Sequence, residues 1–152
     1  MNILITGGNG FIAKNIYQTI KNDHNVYLTN RQTLDILDKE KVNAFFDNFK
    51  IDVVLHTAVS GGSRVEEDGP DVLINNLIMF NNLVENNCKF GSLIHFGSGA
   101  EFDRSTSIIS ARENDDSNPV DYYGLSKKII KRQIDKIDNF YNLRIFGCFG
   151  ID

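Results

Sequence analysis

The chain has 152 residues, 41% of them hydrophobic and 24% charged, with a net charge of −4. That balance describes one globular domain able to bury a core, and it argues against nucleic acid or anionic membranes as partners, since both demand basic patches. No apolar run approaches membrane-spanning length, and the N-terminus enters a strand without the basic and long apolar regions of a signal peptide. Cys88 and Cys148 lack metal-ligand spacing, so the expectation is a cytoplasmic protein with no metal site, its cysteines small buried hydrophobes.

In chain order, Ile3, Leu4 and Ile5 read as a short buried strand broken by Thr6-Gly7-Gly8-Asn9-Gly10. Phe11, Ile12, Ile16 and Ile20 then recur at helical spacing. Val26 to Thr29 is a second strand, and Leu34-Asp35-Ile36-Leu37 a short extended piece. Asp38 is placed as the N-cap of a helix carrying Val42, Phe45, Phe46 and Phe49. Val53 to Thr57 is an apolar run of buried parallel-strand type, followed by a glycine-containing loop from Val59 to Pro70. A helix from about Asp71 to Asn87, a strand from Ser92 to Gly97 and a long polar loop from Gly99 to Asn118 come next. A helix from about Pro119 to Asp138 and a strand from Tyr141 to Phe146 complete the pattern. Strands alternating with helices predict an α/β fold: a Rossmann-like, doubly wound parallel sheet with helices on both faces. In such a sheet the loops at Ser60, Ser98 and Gly147 lie at the edge where ligands bind.

The first strand, its glycine turn and the following helix are the setting in which a glycine pattern becomes a dinucleotide site. Gly8-x-Gly10-x-x-Ala13 fits the general fingerprint. Glycine is required where the backbone turns through angles closed to other residues and where a pyrophosphate must approach it. The helix then aims free N–H groups at the phosphates. Gly7 and Gly10 are therefore candidate cofactor contacts, with an ordinary βα turn as the plain alternative. At the end of the second strand, NAD-binding chains place an acidic residue on the ribose. Here Asn30-Arg31 stands instead, which suits a 2′-phosphate and favours NADP over NAD; the plain alternative is a solvent-facing Arg31.

Tyr123 and Lys127 are four residues apart and share a helix face. A nearby ammonium favours the phenolate, so the pair suits general acid–base chemistry; a solvated helix face is the bland reading. Ser98 follows a strand end, where a hydroxyl can hydrogen-bond a carbonyl as charge develops, or simply serve a turn. His56 and His95 fall inside strands and are read as satisfied core histidines.

In order, Thr6-Gly7-Gly8-x-Gly10-Phe11-Ile12, Leu34-Asp35-Ile36, His56-Thr57-Ala58, Asn76, Gly97-Ser98, Glu113, Tyr123-x-x-x-Lys127 and Arg144-x-Phe146-x-x-Phe149-Gly150 form a set. The chain resembles the extended short-chain dehydrogenase/reductases, the nucleotide-sugar epimerase, dehydratase and reductase group. Asn30-Arg31-x-x-Leu34-Asp35-Ile36-Leu37-Asp38 and Val59-Ser60-Gly61-Gly62 look most like the GDP-fucose synthases, with the dTDP-4-dehydrorhamnose reductases second. The resemblance implies that Ser98, Tyr123 and Lys127 form a catalytic triad, with Tyr123 and Lys127 also touching cofactor. It implies Phe11 and Ile12 near the pyrophosphate and Asp35 and Ile36 at the adenine. Thr57, Ala58, Val59, Ser60, Gly61 and Asn76 would border the cofactor and Phe146 the nicotinamide.

Departures from the family pattern narrow the chemistry. Ala100 stands where GDP-fucose synthases carry an acid–base cysteine, and Gly99-Ala100 where 4,6-dehydratases carry an acidic pair, with Glu101 one position late. Gly147 replaces a frequent Asn. Reduction of a 4-keto nucleotide-sugar by hydride transfer is the expected reaction. A 4-epimerase, a non-catalytic dinucleotide-binding module and a ligand-free domain are the alternatives. Members of the group usually continue for about as many residues again, which build the substrate domain; residues 1–152 are expected to form the NAD(P)-binding domain. The resemblance also implies a homodimer through a four-helix bundle of the two long helices, although their apolar positions are equally explained by packing on the sheet.

Overall fold

The structure, a computed structural model, describes residues 1–63, 65, 67–102, 107, 110–115 and 117–150. Five parallel strands, β1 (Asn2–Thr6), β2 (Asn25–Leu28), β3 (Ile51–His56), β4 (Phe90–Ser98) and β5 (Phe140–Ile145), form one sheet in the order β2-β1-β3-β4-β5. The helices are α1 (Phe11–Ile20), α2 (Lys39–Asn48), α3 (Pro70–Val84) and α4 (Tyr122–Ile134). The fold is therefore the α/β doubly wound type expected from the alternation. Strand order reverses between β1 and β3, so the chain leaves these neighbouring strands in opposite directions and opens a crevice above their C-terminal ends.

Register explains the core. Leu4, Val54, Leu93 and Phe140 are partners across β1, β3, β4 and β5 and form one row. With Phe80 and Leu83 of α3, Phe46 of α2 and Ile130 and Ile134 of α4, they make the larger apolar cluster. The opposite face is a smaller cluster around Ile3, Ile5 and Leu55, packed with Ala13, Ile16 and Ile20 of α1. Helices thus cover both faces. Phe80 is fully buried and meets His95 and Phe140 edge-on; a buried ring of this size contributes about 2–3 kcal/mol.

Local chemistry sets the helix ends. Asp38 caps α2 as expected, its side chain accepting from Lys41 N. Asp121 caps α4 by accepting from Gly124 N at 2.6 Å. Pro70 begins α3 after Gly69, a position that requires no N–H. α3 and α4 both stop earlier than the apolar periodicity suggests, at Val84 and Ile134, and β4 starts two residues earlier, at Phe90. The Leu34–Leu37 piece is not extended. Asp35 accepts from Leu37 N and Asp38 N donates to Asp35 O, so the segment folds as a turn. Its apolar side chains still pack, since Leu34 and Ile36 are buried. Of the expected 99–118 loop, Gly99–Glu101 is a 3-10 turn, and residues 103–106, 108, 109 and 116 lie outside the described residues, as do 64 and 66 of the loop after β3. Cys88 and Cys148 are exposed rather than buried: Cys88 sits on the 3-10 turn before β4 and Cys148 on the segment after β5, both beyond the packed layers.

Candidate cofactor and active site

The crevice at the strand reversal is lined by three segments. After β1, Gly7 takes a positive φ of 72°, and a Cβ there would lie 2.7 Å from the Ala58 Cα. Only glycine allows both the turn and that approach. Gly8 N donates to Thr29 O, which draws the end of β2 against the turn, and Gly10 N donates to Gly7 O. No side chain caps α1, and its first turn carries no acidic residue. Its N-terminal N–H groups and the positive end of its dipole are thus left to an anion.

The second segment follows β2. Asn30 Oδ1 accepts from Gln32 N at 2.9 Å and Thr33 N at 3.2 Å, while Thr33 Oγ1 accepts from Asn30 N. This turn presents Arg31, exposed, to the crevice. Asn30 also reaches across to Asn9. The third segment follows β3. Thr57 Oγ1 donates to Thr6 O at 2.6 Å, and Ala58 N donates to Thr6 Oγ1 at 3.2 Å. Together the three segments enclose a cavity of about 260 Å³. Gly7, Gly10, Asn30, Arg31, Asp35, Ile36, Thr57, Ala58 and Val59 all line it, joined by Asn9, Leu34 and Met79. The donor set fits a dinucleotide: uncapped N–H groups for phosphate, a guanidinium at the rim and an apolar floor for a base.

Ser60 and Asn76 lie outside that lining and act behind it. Asn76, 2% exposed on α3, accepts from Ser60 N at 2.8 Å and donates to Ser60 O at 3.0 Å. Its amide also donates to Ser126 Oγ, which in turn donates to Tyr123 O at 2.6 Å. One buried amide thereby joins the loop after β3 to the first turn of α4. Phe11 and Ile12 open α1 but do not line the cavity.

A second group gathers around the end of β4. Ser98 Oγ accepts from Ala100 N at 3.1 Å within the Gly99–Glu101 turn. α4 is seated on that turn: a Cβ on Gly124 would come within 2.2 Å of Ala100 O. The ring of Tyr123 lies against Gly62 in the loop after β3. Lys127 is 3% exposed, its Nζ donating to Phe96 O at 2.8 Å and standing 5.6 Å from the centroid of the Tyr123 ring. Phe146 is 61% exposed, stacked on Phe102 and close to Gly99. Ser98, Tyr123, Lys127 and Phe146 are thus carried by elements in mutual contact.

Beneath them runs a polar row. Thr6, His56 and His95 are register partners and fully buried or nearly so. His56 Nδ1 lies 3.0 Å from Thr6 Oγ1, its ring is 5.2 Å from that of His95, and His95 Nε2 lies 3.5 Å from Lys127 Nζ. His56 is the satisfied core histidine expected; His95 Nδ1 has no partner among the described residues. Burial, with the Lys127 charge adding to it, pushes His56 down to about 3, and the same causes followed by His56 hold His95 well below its usual range. Burial likewise lowers Lys127 to about 8, against an opposing pull from Glu101. Glu101 is the residue that sequence reasoning undervalued. It is buried and ion-paired with Arg144 Nη2 at 2.9 Å, a pairing that only the β4–β5 register reveals. Among the described residues no cluster of His, Cys, Asp and Glu has metal-binding geometry, and no helix is long and apolar enough to cross a membrane.

Comparison with known proteins agrees with this architecture. The profile of the NAD dependent epimerase/dehydratase family matches residues 3–150. The chain belongs to that family. It is 27% identical over 160 residues to the GDP-6-deoxy-D-talose 4-dehydrogenase of Aggregatibacter actinomycetemcomitans, covering 99% of this chain and 53% of that protein. It is 28% identical to the GDP-L-colitose synthase of Yersinia pseudotuberculosis over 109 residues, 67% of this chain and 35% of that one. A dTDP-4-dehydrorhamnose reductase from Clostridium acetobutylicum superposes with a TM-score of 0.84 at 28% identity, covering 95% of this chain and 52% of that one. The chain thus spans about half the length of the first of these relatives and of the reductase, and about a third of the second.

The buried histidines impose a pH dependence. Their folded pKa values lie below the unfolded value of 6.5, so on acidification the unfolded chain takes up protons that the folded chain does not. Stability present above pH 6.5 is lost as pH falls below it, with a slope approaching about 1.4 kcal/mol per pH unit for each imidazole. Urea unfolding at pH 7 and pH 5 measures this, and His95→Gln is expected to fall less steeply than wild type. Equal slopes in the two proteins would remove His95 from the account.

Proposed function

We propose that the chain is the cofactor-binding and hydride-transfer part of a reductase acting on a 4-keto nucleotide-sugar, with NADP preferred over NAD. The observation that carries this reading is the seating of Gly124 on Ala100, which supports a shared site for Ser98, Tyr123 and Lys127 beside the glycine-turn crevice. When bound, the nicotinamide supplies hydride to the keto carbon. Ser98 Oγ donates to the keto oxygen as negative charge develops on it, and Tyr123 delivers the proton to that oxygen. The Lys127 ammonium favours the phenolate left behind and holds the ribose. Phe146, exposed beside Gly99, offers an aromatic face to the nicotinamide. Gly7, Gly10, Phe11 and Ile12 serve the pyrophosphate, Asn30, Arg31, Asp35 and Ile36 the adenosine end, and Thr57–Ser60 with Asn76 the wall between.

A second reading has its own support. Lys127 Nζ is turned inward to Phe96 O, as suits a module that binds a dinucleotide without catalysis. Incubation with NADPH and a 4-keto nucleotide-sugar separates the two, since binding without oxidation favours the module.

Three outcomes test the catalytic reading and its parts. Tyr123→Phe is expected to lower kcat by about 10²- to 10⁴-fold, the range for a general acid, with NADPH affinity within about twofold; turnover at the wild-type rate removes Tyr123 from the chemistry. Arg31→Ser is expected to weaken NADPH about tenfold in a titration of cofactor fluorescence while leaving NADH unchanged, the loss of one charge-assisted phosphate contact. Equal weakening of both cofactors would mean that Arg31 does not read the 2′-phosphate. Finally, Ile74 and Ile78 lie one turn apart on α3 and are 54% and 39% exposed, which supports pairing of two copies through α3 and α4. Light scattering is expected to give a dimer, and a monomer at micromolar concentration sinks the bundle.

A further inference from the structure

Glu101 and Arg144 form a device that the proposed chemistry does not use. The Glu101 side chain is fully buried and that of Arg144 only 11% exposed. Arg144 Nε and Nη2 both donate to Glu101 Oε2, at 3.1 and 2.9 Å, and the guanidinium lies 4.9 Å over the Phe102 ring. Arg144 is the β5 partner of Gly97 in the sheet. A Cβ on Gly97 would lie 3.0 Å from Glu101 Oε1. The carboxylate is therefore folded back over the residue that precedes Ser98.

Stability alone does not account for such a pair. A buried ion pair is often no better than well-packed apolar residues of the same volume, and Glu101 Oε1 has no partner among the described residues. Position does account for it. The segment from Ser98 to Phe102 is held by five ties. Ser98 is in the β4–β5 ladder and its Oγ takes Ala100 N; Phe102 N donates to Gly99 O; Ala100 O abuts Gly124 of α4; and Glu101 is locked to β5. The last tie fixes the far end of the turn. Without it, the far end of the turn loses its anchor on β5, and the seat of Gly124 on Ala100, whose N–H is the partner of Ser98 Oγ, is held from the Ser98 side alone.

We propose that Glu101, through its buried ion pair with Arg144, is a positioning residue that sets the Ser98 hydroxyl against the helix carrying Tyr123 and Lys127. The proposal rests on the assignment of Ser98 and Tyr123 above, and it is tested in a way that separates the two. Amide hydrogen exchange of the 152-residue protein is followed in wild type and Glu101→Gln. The N–H groups of Ala100 and Phe102 are expected to exchange at least about tenfold faster in the variant, with Leu4 and Leu55 unchanged, since loss of a local tie opens only its own unit. Wild-type protection at Ala100 and Phe102 overturns the proposal, whether or not the protein turns over substrate. Where it does, Glu101→Gln is expected to lower kcat about tenfold or more with the KM for NADPH unchanged, and to have no further effect on kcat in a Ser98→Ala background. An undiminished further loss in that background overturns it, because the two effects would then be independent. Should Glu101→Gln not fold, Arg144→Lys keeps the charge and loses the fork, and faster exchange at Ala100 and Phe102 is expected there too. Wild-type protection in that variant counts equally against the device.

Discussion

The arrangement depends on the side-chain amide of Asn76. It is buried in α3 and has no access to water, so its polar atoms must find protein partners or cost roughly 1–3 kcal/mol each. Ser60 N, Ser60 O and Ser126 Oγ meet that demand. The consequence is geometric: the loop leaving β3 is held to α3, and the same amide reaches the start of α4 through Ser126. The wall of the crevice and the helix of Tyr123 therefore share one anchor. Loops that carry ligands are otherwise the mobile part of such a sheet; here the part nearest the proposed chemistry is bound on two sides, by Asn76 and by Thr6.

The sheet itself divides into an apolar end and a polar end. On the face toward α3 and α4, Leu4, Val54, Leu93 and Phe140 form one row. Two residues further along, on the same face, Thr6, His56, His95 and Asn142 form the next. Alternation along a strand would place apolar residues in both rows. The change occurs where the strands reach the crevice, and Lys127 enters from α4 to meet it. Polar groups buried at one end of an otherwise apolar core are costly, and groups with displaced pKa values concentrate at functional sites. Their location at the C-terminal edge, rather than scattered through the sheet, is the reason to associate them with the crevice.

Much of this was legible in the residues. The βα alternation led to the doubly wound sheet because parallel strands are short apolar runs with helical patterns between them. The glycine turn and Asn30-Arg31 led to the crevice because their chemistry is local. What was not legible depends on register. Nothing in the sequence pairs Glu101 with Arg144, or Asn76 with Ser126; both pairs lie more than forty residues apart. The Leu34–Leu37 piece misled because its apolar side chains do pack on the core, yet Asp35 supplies the acceptor that bends it into a turn. The cysteines misled for the opposite reason: a residue type that prefers burial stands where the chain has already left the layers.

The buried charges also bear on how the chain divides its stability. The larger cluster, built on Phe80, Leu83 and the row from Leu4 to Phe140, is apolar and continuous. The lysine, the ion pair and the two neutral imidazoles then lie beside that cluster rather than inside it. A fold that relied on the ion pair for its stability would gain from replacing it with apolar residues. One that packs an apolar core beside the pair can keep the pair for orientation, and can keep an ammonium buried beside two imidazoles. On this view the apolar rows set which fold forms, and the polar row decides what its C-terminal edge is able to do.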